Sequence, residues 1–355
     1  MYEEEYFNAV ESNIEKGIEV GYASTYYLIS PAFLLWQSSL IEIASIKQKK
    51  QEFFEIGVAT GNLLDVLREL QPGLSLKGID ISKYAVKISL AKGHDVKQSS
   101  IEKYKTTKKA SIIFSAETME HLENLKTFLE GVKRNLRPDG LFLFYVPSIS
   151  ETDAIKQSDD YLRFNLNLEH LLHFSPEFLE KQLPMFFDAD VLIKEFKTSY
   201  GPSILGAVSK DRRRLGYLKK LFALLETGRV PDKESSLFIK NAAIIALKFG
   251  YTELADKLMT RLQKSNYEPR ETELIRGLKS YHLGHLEKAN QNFQNYLKLS
   301  PGSLLATQLL LSNERELNNI YKDNISEYAR RLEALSELNS QKTTIIEKMK
   351  RQFRK

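Results

Sequence analysis

The sequence predicts an α/β fold: a seven-stranded doubly wound sheet with an antiparallel edge hairpin, followed by an all-α helical-repeat region. Three observations predict it. Between residues 51 and 210, short apolar runs of strand type alternate with helical patterns, the signature of a parallel sheet with helical crossovers. The last two of those runs are joined only by "KTSYGP", too short for a crossover helix, so they pair antiparallel. After Lys210 the strand signals stop and helical periodicity takes over.

In chain order the strands are "EFFEIGV", "SLKGIDI", "DVKQSS", "SIIFSA", "GLFLFYVP", "DADVLIKEF" and "SILGAVSK". Helices are expected over 60–70, 82–92, 124–136 and 176–183, whereas "IEKYKTTKKA" reads as an irregular link. Periodicity leaves the strand order open. Residues 1–50 read as helices rich in aromatics, with Tyr22, Tyr26, Tyr27, Phe33 and Trp36. That segment either caps the active face or simply packs on the sheet. The domains expected are an N-terminal helical cap (1–50), the sheet domain (51–210), a helical-repeat domain (211–340) and a basic tail (341–355).

Within the helical part, a period of 34 lays Ala243 on Gly277, Gly250 on Gly284, Ala255 on Ala289 and Met259 on Phe293. Small residues at facing positions let two helices pack closely, glycine separates them, and Pro301 stops the second. The unit "RETELIRGLKSYHLGHLEKANQNFQNYLKLSP" resembles a tetratricopeptide repeat, and the unit before it is a looser copy. Such arrays need about three units to stand alone, so helices over 212–226 and 303–338 are expected to cap this one.

The 355 residues include no cysteine, which excludes disulfides, thiolate metal sites and a cysteine nucleophile and points to a reducing, cytoplasmic setting. The acidic start "MYEEEYFNAVESNIEKG" is unlike a secretory signal, and no stretch approaches the ~20 apolar residues of a membrane span. The net charge of +5 is carried by the tail, where Lys342, Lys348, Lys350, Arg351, Arg354 and Lys355 stand against Glu347. A neutral body is a poor footprint for nucleic acid, so no nucleic-acid partner is expected.

The chemistry concentrates at "FFEIGVATGNLLDVL", residues 53–67. A strand ending in an acid and running through small residues into a helix brings backbone N–H groups close to a ligand, because no Cβ intervenes. The pattern is Glu55-x-Gly57-x-Ala59-x-Gly61, not the glycine spacing of a dinucleotide loop. At the tip of the second strand, the carboxylate of Asp80 in "GIDIS" can accept both hydroxyls of a ribose. The alternative for Asp80 is a cap on the following helix.

These motifs, with the segment "SIIFSAETMEHLENLKTFLEGVKRNLRPDGLFLFYVPS", resemble the class I S-adenosylmethionine-dependent methyltransferases over about residues 40 to 210. In detail the chain is similar to the ubiquinone-type O-methyltransferase branch, with its "ExxEH" box after the fourth strand and its "L-x-P-x-G" turn before the fifth. The resemblance implies a Rossmann-like methyltransferase fold and S-adenosyl-L-methionine as cofactor. It implies that the bend Glu55, Gly57, Ala59, Gly61 holds the methionine part, that Asp80 binds the ribose, and that Ile81 lies against the adenine. Ser100 and Ile101 occupy the place of the far adenine wall. Glu117 would line the path between donor and acceptor, and Glu120 and His121 match the acid and histidine of the box. His170 and His173, in "EHLLHFSPEFLEKQL", match a stretch that shapes the family's acceptor pocket. Ala59 stands where the family has glycine, and Ser100 where it often has an acid.

Alternatives stand beside these roles. Glu120 and His121 can cap or orient the helix starting near Asn124. His170 and His173, three apart, can share a metal with an acid such as Glu120, although no metal is expected. His282 and His285 read as surface or packing residues. The function expected is methylation of a hydroxyl on a small-molecule, lipid or sugar acceptor, with the repeats binding the acceptor or a protein partner. The alternative is a methyltransferase-like binding platform or a protein methyltransferase.

Overall fold

A computed structural model describes residues 31–46, 51–149, 170–198, 201–231, 233–265 and 268–318. Tyr22, Tyr26 and Tyr27, the segment 319–338 and the basic tail lie outside the described residues.

After helix α1 (Pro31–Ser45) come β1 (Glu52–Ile56), α2 (Asn62–Leu70), β2 (Ser75–Asp80), α3 (Lys83–Ala91), β3 (Val96–Gln98) and β4 (Ala110–Ala116). A 3-10 turn, Met119–His121, leads to α4 (Leu125–Asn135) and β5 (Leu136–Pro147). Then follow α5 (Pro176–Phe187), β6 (Asp190–Thr198) and β7 (Gly201–Ser209). The seven strands lie in the order β3-β2-β1-β4-β5-β7-β6. All neighbours are parallel except β5–β7 and β6–β7, the antiparallel edge that the short "KTSYGP" link requires. Chain order reverses between β1 and β4, and the crevice at the carboxyl ends of those two strands is where such sheets bind ligands.

The apolar runs of β1, β4 and β5 are continuous because both faces of these strands are covered. One difference from the sequence reading falls in β5. It opens at Leu136, which pairs with Ala110, and the Arg137–Gly140 turn bulges out before pairing resumes at Ile112↔Leu141. Hence the "L-x-P-x-G" motif sits inside the strand rather than ahead of it.

Beyond the sheet run α6 (Arg212–Thr227), α7 (Ser236–Lys248), α8 (Thr252–Lys264), α9 (Pro269–His282), α10 (Leu286–Leu299) and α11 (Leu304–Asn318). Among the described residues no helix is long and apolar enough to cross a membrane. Helices α7–α8 and α9–α10 are hairpins at corresponding places in the 34-residue period. In the second, Gly277 lies so close to Phe293 that a Cβ there would overlap the ring.

The helical part shares the core of the sheet. One continuous apolar cluster runs from Leu35 and Trp36 of α1, through Phe114, Leu143 and Tyr145 of the sheet, to Leu218, Ile245, Phe293 and Leu309. The other face carries a separate cluster, including Phe128, Phe142 and Phe187 and covered by α4 and α5. Helix α1 lies antiparallel to α7. Near one end the Glu42 carboxylate accepts from Lys240 and Asn241, each at 2.8 Å, and near the other Trp36 meets Phe249 edge-on at 5.5 Å. The start of α11 is likewise held from the sheet domain, for Glu69 accepts from the Ser303 hydroxyl and, at 3.0 Å, from the Leu305 N–H.

Candidate active site

Strand β1 delivers Glu55 to the crevice, and the chain then turns through three left-handed residues, Gly57 (φ 80°), Ala59 (φ 45°) and Gly61 (φ 80°). The N–H groups of Gly57 and Val58 both donate to the Ile79 carbonyl, at 2.9 and 3.1 Å, which pulls the loop across the end of β2. Glycine is required at two of the three positions. A Cβ on Gly57 would stand 2.5 Å from Thr118 Oγ1, and one on Gly61 would overlap Ser89 and His94. Ala59 carries its methyl in a conformation L-residues disfavour.

Asp80 ends β2 and fastens this loop. Its Oδ2 accepts from the Ala59 N–H and its Oδ1 from the Ser82 N–H, both at 2.8 Å. Capping of α3 falls to Ser82, whose hydroxyl accepts from the Ala85 N–H, and Asp80 is instead the clasp between the two strand ends. Burial raises its carboxyl, while backbone N–H groups of Ser82, Ala59 and Ile81 favour the charge. Beside it Ile81 stands 57% exposed, an apolar side chain held in water next to the diol-matching acid. Ser100 is half-buried and begins a turn, its carbonyl accepting from the Lys103 and Tyr104 N–H groups. Ile101 is buried in the apolar layer below, against Gly131.

Between the loop and β4 lies a cavity of about 20 Å³, lined among others by Glu55, Gly57, Glu117, Leu34 and Gln37. The last two come from α1, so this helix forms one wall of the cavity. Neither of these wall residues is one of the aromatics that mark residues 1–50 in the sequence. Glu55 is buried, with Oε2 lacking a hydrogen-bond partner among the described residues. Burial, and then the charge of Asp80, pushes its carboxyl up to about 8.

Glu117 follows β4 in a left-handed conformation (φ 50°), its N–H donating to the Tyr145 carbonyl at 2.9 Å. Glu120 is 1% exposed in the 3-10 turn. Burial and the neighbouring Glu117 carboxyl hold it well above the usual carboxylate range. Helix α4 is capped by Asn124, which accepts from the Thr127 N–H, so the cap is supplied by neither Glu120 nor His121. The Glu120 carbonyl accepts from Leu172 at 2.9 Å, which draws in the segment carrying His170 and His173. The rings of His121 and His170 meet edge-on at 4.9 Å. His170 is buried and, through burial first and then His121 and His173, lowered to about 4. His173 is exposed. Ligand atoms of Glu120, His121 and His170 all lie within 4.8 Å of one another, a donor set suited to a divalent cation.

Residues 30–185 match a family profile described as a methyltransferase domain. No curated protein matches. Among solved structures, the chain is similar to the plantazolicin methyltransferase BpumL bound to S-adenosylhomocysteine, with 13% identity, TM-score 0.44, and cover of 57% of this chain and 91% of that one. It is also similar to the N-methyltransferase NodS from Bradyrhizobium japonicum, with 14% identity, TM-score 0.40, and cover of 57% and 97%. The profile match, the acid-ended glycine loop and the acid closing β2 make residues 30–185 a methyltransferase domain of the S-adenosylmethionine-dependent class.

Proposed function

We propose that this protein methylates a hydroxyl of a small-molecule, lipid or sugar acceptor. The reading is carried by the clasp in which Asp80 fixes the left-handed Gly57–Gly61 loop over a cavity walled by Glu55 and Glu117. Bound along this loop, S-adenosylmethionine would supply an activated methyl on a sulfonium, so the protein has mainly to align the groups and accept a proton. The loop and Glu55 hold the methionine part and Asp80 the ribose diol. Ile81, with Ser100 and Ile101 behind it, forms the adenine side. Glu117, Glu120, His121, His170 and His173 form the acceptor side, where a neutral imidazole can take the hydroxyl proton. Isothermal titration with S-adenosylmethionine tests this: micromolar binding is expected, lost in Asp80→Ala while the circular dichroism spectrum is kept. No heat at millimolar ligand would overturn it.

A second reading concerns a metal. The closeness of Glu120, His121 and His170 and the burial of the Glu120 carboxyl favour a divalent ion that would hold the acceptor hydroxyl and lower its pKa. Such an ion would favour the ionised form of the Glu120 carboxyl. Mn²⁺ or Zn²⁺ added to protein treated with EDTA is then expected to raise the melting temperature in wild type and not in His170→Ala. The helical hairpins, of tetratricopeptide-like spacing, would dock the acceptor or a protein partner.

A further inference from the structure

The turn that ends α3 is built by "AKGH", residues 91–94. Gly93 takes a left-handed conformation (φ 81°), its N–H donating to the Leu90 carbonyl at 2.9 Å and that of His94 to the Ser89 carbonyl at 3.2 Å, the paired bonds that close a helix on glycine. This reversal brings Lys92 and His94 against the first turn of α2. There His94 Nε2 lies 2.9 Å from Asp65 Oδ1, and its ring packs so close to Gly61 that a Cβ on the glycine would stand 2.8 Å from Cδ2. Lys92 Nζ donates to Asn62 Oδ1 at 2.6 Å and pairs with Asp65 Oδ2 at 3.0 Å. Arg68 completes the set, donating to Asp65 Oδ1 at 2.7 Å and to the Lys92 carbonyl at 3.0 Å. Asp65 is buried, and although burial opposes its charge, His94 and Lys92 hold the carboxyl below its ordinary value.

These contacts hold the glycine loop from behind. The Asp80 clasp fixes Ala59, whereas Gly61 and Asn62, where the loop becomes α2, are held by the turn after α3. Asn62 lines the same cavity as Glu55 and Gly57, and Lys92 does not, so Lys92 reaches the cavity only through Asn62. We propose that Lys92 is a positioning residue for the methyl donor: it ties Asn62 to the Asp65 carboxylate and so keeps the closing turn of the loop in the conformation that receives the ligand. A ligand that needs one loop conformation binds more weakly in proportion to the time the loop spends elsewhere, so a variant whose loop is rightly placed about a tenth of the time loses about tenfold in affinity. Stability depends on Lys92 much less, because its side chain is half-buried and Asp65 keeps Arg68 and His94 without it. The proposal rests on the proposed cofactor.

The test is isothermal titration of the full chain with S-adenosylmethionine and S-adenosylhomocysteine in EDTA. Lys92→Met is expected to weaken both ligands about tenfold, with a melting temperature within about 3 °C of wild type. The two ligands differ by one positive charge, so a lysine felt through its field would change the ratio of their affinities, and a lysine that places the loop leaves that ratio alone. On an Asn62→Ala background, where the tie is already cut, the same substitution should weaken binding by less than about twofold. No loss of affinity in Lys92→Met, a changed ratio, or an equal loss in both backgrounds would overturn the proposal and leave the cofactor reading standing. Failure of wild type to bind either ligand would overturn both. Melting curves separate these outcomes from misfolding, and if Lys92→Met unfolds, Lys92→Gln carries the same expectation.

Discussion

Ala59 is a conformational cost accepted inside the loop. Its left-handed backbone (φ 45°) disfavours any residue with a Cβ by roughly 1–2 kcal/mol, partly offset by the greater freedom glycine would have in the unfolded chain. Ala59→Gly is expected to stabilise the fold by about 0.5–1 kcal/mol, read as a rise of about 1–2 °C in melting temperature, without loss of cofactor affinity. Glu55 supplies a pH dependence. The unfolded chain releases this proton near its usual 4.5, whereas the folded carboxyl keeps it up to about 8. Its burial therefore costs nothing below the lower value, and stability falls as pH rises between the two. Glu55→Gln should flatten the melting temperature over that window. A bound cation favours the ionised carboxylate, so S-adenosylmethionine binding at pH 7 should release protons in wild type and not in Glu55→Gln, seen by calorimetry in buffers of different ionisation enthalpy.

At the scale of elements, the seven strands and the antiparallel edge were legible because runs buried on both faces announce themselves, and "KTSYGP" permits only a hairpin. Strand order was not, since periodicity reports which face is covered and not which neighbour covers it. The loop residues and Asp80 could be read from local spacing. The partnership of Leu34 and Gln37 with Glu117 could not, for it joins residues about 80 positions apart through a helix with no motif of its own. The period of 34 translates into a contact that can be checked. Gly277 to Ala drives a methyl into the Phe293 ring, and overpacking of this kind costs roughly 1–3 kcal/mol, against about 1 kcal/mol of improved helix propensity. A net loss of stability is expected, recovered in the double variant with Phe293→Leu, as measured by urea unfolding.

For the whole molecule, the decisive fact is the apolar cluster that passes uninterrupted from the sheet through α1 to α11. Two parts sharing a core melt together. A single calorimetric transition is expected for the full chain, and a chain truncated after Lys210 should aggregate because it exposes that face of the sheet. Two separate transitions would show that the shared core contributes little.

The grip of Glu42 on Lys240 and Asn241 has a consequence for synthesis. Helix α1, which lines the cavity beside Glu55, gains its covering partner only when the ribosome has made about 200 further residues. A nascent chain can thus lay down the sheet early and still lack a finished pocket. Any ligand of that cavity meets a finished wall only late in translation, timed by the emergence of α7.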